Sequence, residues 1–89
     1  MTLNDAKLYL RVDNDDENNL INELMKSAVS YMAGAIDGYE EKKASASPEW
    51  KAQAEQAERL LIADWYENRL PVGRPANAAV TFIITQLQL

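Results

Sequence analysis

The run from Leu60 to Arg69 constrains the fold of this chain more than any other stretch. It reads Leu-Leu-Ile-Ala-Asp-Trp-Tyr-Glu-Asn-Arg, holds the densest group of large apolar side chains in the sequence, and contains no glycine or proline. On a helix, residues three or four positions apart lie on the same face. The apolar side chains of this run therefore form a single stripe with apolar side chains that precede it in the sequence. That stripe consists of Ala54, Ala57, Leu61 and Trp65. A face this wide needs cover from several other elements, so we predict the central core helix of an α-helical domain.

Capping residues mark the starts of two helices. Thr2 is a good N-cap and Asp5 can complete a capping box, which predicts a first helix over about Leu3 to Leu10. Ser47 followed by proline is a common helix start. The long helix that carries the apolar stripe is therefore expected to run from Pro48 to about Asn68 or Arg69.

A second helix is expected to begin within an acidic stretch, with Asp13 or Asp15 as its N-cap, and to reach about Asp37. Gly38 is expected just beyond its end, and Gly34 inside it suggests the close approach of another helix. Its apolar stripe consists of Leu20, Leu24, Ala28, Tyr31 and Ala35. The residues that flank this stripe are Ile21, Met25, Met32 and Ile36.

The last segment is compatible with a helix or a strand. Val80, Ile83, Ile84 and Leu87 follow a helical stripe, while the β-branched residues among them also suit a strand. We favour a helix because the preceding helices offer no sheet to join. Residues 40–47 are expected to form a polar, exposed loop, with room for a frayed turn of helix. The four periodic segments together predict an all-α chain. We expect one domain over residues 1–89, a small bundle of about four helices with short loops. The expected core anchors are Leu24, Leu61 and Trp65.

The composition leaves few means of catalysis. The chain has no cysteine and no histidine, so it lacks thiol nucleophiles, the commonest general base and the commonest metal ligand. The acidic stretch looks at first like a calcium loop. Asn18, however, stands where that loop needs glycine, and Leu24 stands where it needs a bidentate glutamate. We therefore expect no enzyme activity, no metal and no cofactor.

Charge and hydropathy limit the partners. The net charge is −5 and is concentrated in residues 1–41, which carry nine acidic and three basic side chains. A protein that binds the phosphates of a nucleic acid needs a basic face, and this composition does not provide one. The N-terminus has no signal-peptide pattern, which predicts a cytoplasmic product, and no apolar run approaches the ~20 residues that span a bilayer.

Two motifs, in this order, resemble the head–tail connector family of tailed phages and prophages. The first is the N-terminal run Thr2-Leu3-x-x-Ala6-Lys7-x-x-Leu10-Arg11-Val12-Asp13, which precedes a second helix. The second is the Trp-Tyr-Glu-Asn-Arg helix end, followed by the Pro-Gly loop Leu70-Pro71-Val72-Gly73. In that family a similar run closes the long third helix.

The resemblance implies a structural protein that assembles as a ring beneath the portal. Such a ring extends the DNA channel, passes DNA without sequence-specific binding, and docks neck and tail components. The expected partners are copies of the chain itself, the portal protein and the neck or tail proteins, with no membrane. The expected location is the host cytoplasm during assembly and then the virion neck. The alternative is a small helical adaptor or regulatory protein that binds a protein partner through an exposed groove.

A candidate interface lies at the end of the long helix. Tyr66 is one residue after the core residue Trp65, so its side chain is expected to point about 100° away, and Arg69 can share its face. An aromatic residue and an arginine beside a proline-stiffened loop are typical of interface anchors. The simpler interpretation is that Arg69 caps helix carbonyls and Tyr66 fills a rim position. The residues expected at the interface are Tyr66, Arg69, Leu70, Val72 and Arg74.

Overall fold

The computed structural model describes residues 1–68 and 78–88. Both described ranges are helical, and neither contains a strand. The five helices are α1 (Leu3–Leu10), α2 (Asn18–Ala35), α3 (Tyr39–Ser45), α4 (Pro48–Asn68) and α5 (Ala78–Leu87). The all-α prediction is confirmed, whereas the expected number of about four helices is one too few.

Local hydrogen bonds define α1 as its sequence predicts. The Asp5 amide donates to Thr2 Oγ1 at 3.1 Å and the Thr2 amide donates to Asp5 Oδ2 at 3.0 Å, which completes the capping box. At the other end Arg11 has a left-handed backbone with φ 61°, and its amide donates to the Leu8 carbonyl. This αL cap closes the helix and starts the turn toward α2.

α2 begins later than predicted, at Asn18 rather than directly after Asp13 or Asp15. Glu17 holds the N-cap position and makes no side-chain capping bond. Asp15 instead accepts hydrogen bonds from Lys7 Nζ at 2.8 Å and from Asn18 Nδ2 at 3.2 Å. Asp and Asn side chains that bond locally compete with helix formation, which accounts for the late start.

The second half of α2 also departs from the prediction. The helix ends at Ala35, two residues early. The close approach expected at Gly34 is absent, since a Cβ there would meet no described atom within 4 Å. Gly38 has φ 66°, a backbone conformation that favours glycine, but it serves as the N-cap of α3 rather than as the end of α2. The buried face is Ile21, Leu24, Ala28 and Met32, whereas Leu20 is 40% exposed.

α3 occupies the segment that the sequence predicts as an exposed loop. Seven residues are too few to form a stable helix in isolation. Tyr39 at its start is 1% exposed, and α3 packs against both α2 and α4, so tertiary contacts supply the missing stability. The charges also match the helix dipole, with acidic side chains in the first turn and basic ones in the last. These are Glu40, Glu41, Lys42 and Lys43.

α4 is the central helix and packs against each of the other four. It begins as predicted, with Ser47 Oγ accepting a hydrogen bond from the Trp50 amide at 3.3 Å and Pro48 at the first helical position. The i, i+4 pair of Glu55 and Arg59 forms with a 3.6 Å contact. The predicted stripe is buried, along with two neighbours: Ala54, Ala57, Glu58, Leu61, Ile62 and Trp65.

The last segment is a helix, as favoured over a strand. Its C-terminal end is tied to the rest of the molecule by two side-chain hydrogen bonds. Trp50 Nε1 donates to the Leu87 carbonyl at 3.1 Å, and Gln88 Nε2 donates to the Ala35 carbonyl at 2.8 Å. No helix in the described part of the chain is long and apolar enough to cross a membrane.

Candidate functional site

Of the interface residues predicted from the sequence, only Tyr66 lies within the described ranges. Tyr66 lies in α4, half-buried, and its hydroxyl donates to Glu17 Oε1 at 2.5 Å. It therefore joins the C-terminal half of α4 to the start of α2, a contact between residues 49 positions apart. The rest of the predicted interface lies outside the described residues: Arg69, Leu70, Val72 and Arg74.

The three predicted core anchors lie where α2 meets α4. Leu24, Leu61 and Trp65 are 3%, 2% and 3% exposed. Tyr31 of α2 packs edge-on against the indole of Trp65, with ring centroids 6.2 Å apart and planes at 68°. Aromatic pairs favour this edge-to-face arrangement. The contact fixes α2 on the end of α4 that leads to the predicted interface.

A buried ionic cluster, which sequence analysis missed, joins α3 to α4. Glu58 is 1% exposed, and its Oε2 accepts hydrogen bonds from the Tyr39 hydroxyl at 2.5 Å and from Lys43 Nζ at 2.8 Å. A buried carboxylate is tolerated when it is paired and hydrogen-bonded, as here. Burial, then the hydrogen bond and charge of Glu58, raise the pKa of Tyr39 well above its usual range.

Aromatic contacts extend this cluster. The rings of Tyr39 and Trp50 lie 5.9 Å apart, and Lys43 Nζ lies 5.8 Å from the Tyr39 ring centroid. The carboxylate is shielded from solvent and neutralised by its lysine, so it lacks the access that a general base needs. No group of three or more acidic, histidine or cysteine side chains in the described ranges could hold a metal ion. The cluster joins α3 to α4, and the sequence spacings of 15 and 19 residues gave no local signal for it.

An open groove of about 540 Å³ runs between the end of α1 and α4. It is mixed in character, with apolar side chains, two carboxylates and one guanidinium. Asn68 in its wall donates to Asp64 Oδ1 at 2.8 Å, which fixes the end of α4. The groove lies beside the end of α4, where the chain enters the predicted interface segment. Its principal lining residues are Tyr9, Arg11, Leu60, Asp64, Glu67 and Asn68.

Comparison with known families gives a match over nearly the whole chain. The family model described as "Phage gp6-like head-tail connector protein" matches residues 1–87 of the 89. Comparisons with curated proteins and with solved structures gave no significant match. The family match spans all five helices, so it bears on the whole described fold rather than on one motif.

Proposed function

Because this chain belongs to the phage gp6-like head-tail connector family, we propose that it assembles as a ring beneath the portal of a tailed phage or prophage. The ring extends the DNA channel and presents a docking surface for the next neck or tail component. The family match over residues 1–87 carries this proposal. Under this proposal the protein is in the host cytoplasm during assembly and in the virion neck afterwards.

The chemistry of the described residues supports a structural role. The buried carboxylate of Glu58 is engaged by Tyr39 and Lys43 in holding two helices together. The family is one of structural connectors, and the sequence contains neither cysteine nor histidine. Function in such a protein is geometric: each copy must present surfaces that repeat around a closed ring.

The charge distribution suits a channel that DNA passes through. Nine of the fourteen acidic side chains lie in residues 1–41, against three basic ones. Phosphate contacts require a basic face, and each such contact would slow the movement of DNA. If this acidic half lines the channel, the repeated carboxylates repel the DNA backbone and keep it mobile.

The end of α4 is the proposed contact with neighbouring proteins. Tyr66 is held there by its hydrogen bond to Glu17, and α4 leads into the segment that contains Arg69. An aromatic side chain that is already held in place favours binding because little conformational freedom is lost on association. The proposed contact consists of Tyr66, Arg69, Leu70, Val72 and Arg74.

The ring is tested by light scattering after size-exclusion chromatography over a range of concentrations, with electron microscopy of the largest species. We expect ring-shaped oligomers of a single size. A chain that stays a monomer or dimer under all conditions, and binds one protein partner in that state, would contradict the ring and favour an adaptor.

The contact is tested by a Tyr66→Ala, Arg69→Ala double variant in a phage complementation assay. We expect a parental helical spectrum together with failure to complete phage heads. Tyr66→Phe is the matched control, because it loses only the hydroxyl that bonds to Glu17 and keeps the ring. If the double variant completes heads like the parent, this patch is not the contact.

A further inference from the structure

Two large apolar side chains project away from the core on different helices. Leu8 of α1 is 78% exposed and Phe82 of α5 is 66% exposed. Each lies two residues after a buried one, which is Ala6 in α1 and Val80 in α5. Two residues turn a helix by about 200°, so each side chain points almost directly away from the buried face of its helix.

α1 and α5 pack on different sides of α4. The amino group of Met1, just before α1, lies 3.7 Å from Glu55, whereas the end of α5 accepts the indole hydrogen bond of Trp50. Five residues separate those two contacts along α4, which corresponds to about 140° around the helix. Leu8 and Phe82 therefore lie on two different helices, whose contacts with α4 are separated by about 140° around its axis.

The Leu8 surface contains a cleft. Its volume is about 320 Å³, and its wall contains one lysine and one aspartate. Lys7 in this wall is paired with Asp15 at 2.8 Å, so the charge of Asp13 is not compensated by it. The lining residues are Asn4, Lys7, Leu8, Val12 and Asp13.

The α5 surface differs from the cleft, because no charged side chain occurs between Ala76 and Leu89. The whole chain has a net charge of −5, so copies of it repel one another at long range. A contact in which one of the two surfaces is uncharged does not bring like charges together. The charge pattern therefore favours the α5 surface as one side of a contact between copies of the chain.

We propose that Phe82 of one copy of this chain docks into the Leu8 cleft of the next copy. This proposal rests on the proposed function, since a ring requires a heterologous interface with two different surfaces on each subunit. An aromatic side chain inserted into a cleft beside a leucine is the kind of anchor that dominates binding energy at interfaces. The contact repeats from copy to copy, because each copy carries both surfaces.

Disulfide cross-linking tests this arrangement directly, because the chain has no cysteine of its own. The variants are Leu8→Cys, Phe82→Cys and the double variant, oxidised at concentrations where light scattering detects oligomers. We expect a ladder of linked species from the double variant. An equal mixture of the two single variants should give linked dimers only, and each single variant alone should stay unlinked. A mixture of Gln56→Cys, on an exposed face of α4, with Phe82→Cys is the control and should link at least tenfold less.

Each other outcome overturns a definite part of the proposal. Oligomers that form without linkage would place the interface elsewhere and leave the ring intact. Linkage in Phe82→Cys alone would indicate a symmetric dimer through α5 instead of a head-to-tail contact. A parental chain that stays a monomer at every concentration would contradict the ring and this interface together. As an independent check, Phe82→Asp should abolish assembly with an unchanged helical spectrum, and continued assembly would overturn the docking of Phe82.

Discussion

At the scale of single residues, Trp65 is the side chain whose loss should be most damaging. It is 3% exposed and packs against Tyr31. We predict that Trp65→Ala lowers the free energy of unfolding by roughly 3–5 kcal/mol, because it removes buried apolar surface and leaves a cavity. Denaturant unfolding followed by circular dichroism measures the change. Phe82→Ala is the control at an exposed aromatic and should shift stability by less than about 1 kcal/mol. Equal stability of the Trp65 variant and its parent would contradict the packing.

The protonation of Tyr39 makes the stability of the fold depend on pH in the alkaline range. Burial, followed by the hydrogen bond and charge of Glu58, raises the pKa of Tyr39 above its ordinary value of 10.0. Above that pH the unfolded chain releases the phenolic proton while the folded chain retains it. The stabilisation is therefore complete below pH 10 and is lost as pH rises, at up to about 1.4 kcal/mol per pH unit.

The variant Tyr39→Phe removes this proton linkage. We predict that its free energy of unfolding falls less steeply above pH 10 than that of the parent, in denaturant titrations at several pH values. Tyr9→Phe, at a tyrosine that is 41% exposed, is the control and should follow the parent. Parallel curves for the parent and Tyr39→Phe would show that Tyr39 does not contribute to the alkaline loss.

At the scale of helices, a hydrogen bond from an indole in α4 helps to hold the end of α5. Trp50 Nε1 donates to the Leu87 carbonyl, the last residue of the helix. We predict that Trp50→Phe keeps most of the apolar contact but loses this hydrogen bond, worth about 1 kcal/mol. Amide hydrogen exchange at the end of α5 should then accelerate severalfold, while exchange in the middle of α2 stays unchanged. Uniform acceleration in both helices would indicate global destabilisation instead.

The sequence predicts those features of the helices whose residues lie close to one another along the chain. The Thr2–Asp5 box, the Ser47–Pro48 start and the stripe on α4 lie within a few residues of one another, and all three appear in the structure. α3 could not be predicted in this way, because its stability comes from Tyr39 meeting Glu58 across 19 residues. The same holds for Tyr66, whose partner Glu17 is 49 residues away.

At the scale of the whole molecule, the two proposed contacts between proteins differ in chemistry. The outer face of α5 carries no charged side chain, so contact between copies there depends on apolar burial. The segment after α4 contains Arg69 and Arg74, so a contact there can use charge pairs with a partner. The first contact suits a permanent ring, and the second suits recognition of a different protein.

Salt dependence separates these two kinds of contact in self-assembly. The net charge of −5 makes copies repel, and salt screens that repulsion as the Debye length falls from about 30 Å at 0.01 M to about 10 Å at 0.1 M. If copies meet through the Leu8 cleft and Phe82, we predict that the oligomeric fraction rises with salt at constant pH. Light scattering at fixed protein concentration measures it, and Phe82→Asp is the control that should stay monomeric throughout. A fraction that falls with salt would mean that charge pairs, such as those available to Arg69 and Arg74, hold the copies together.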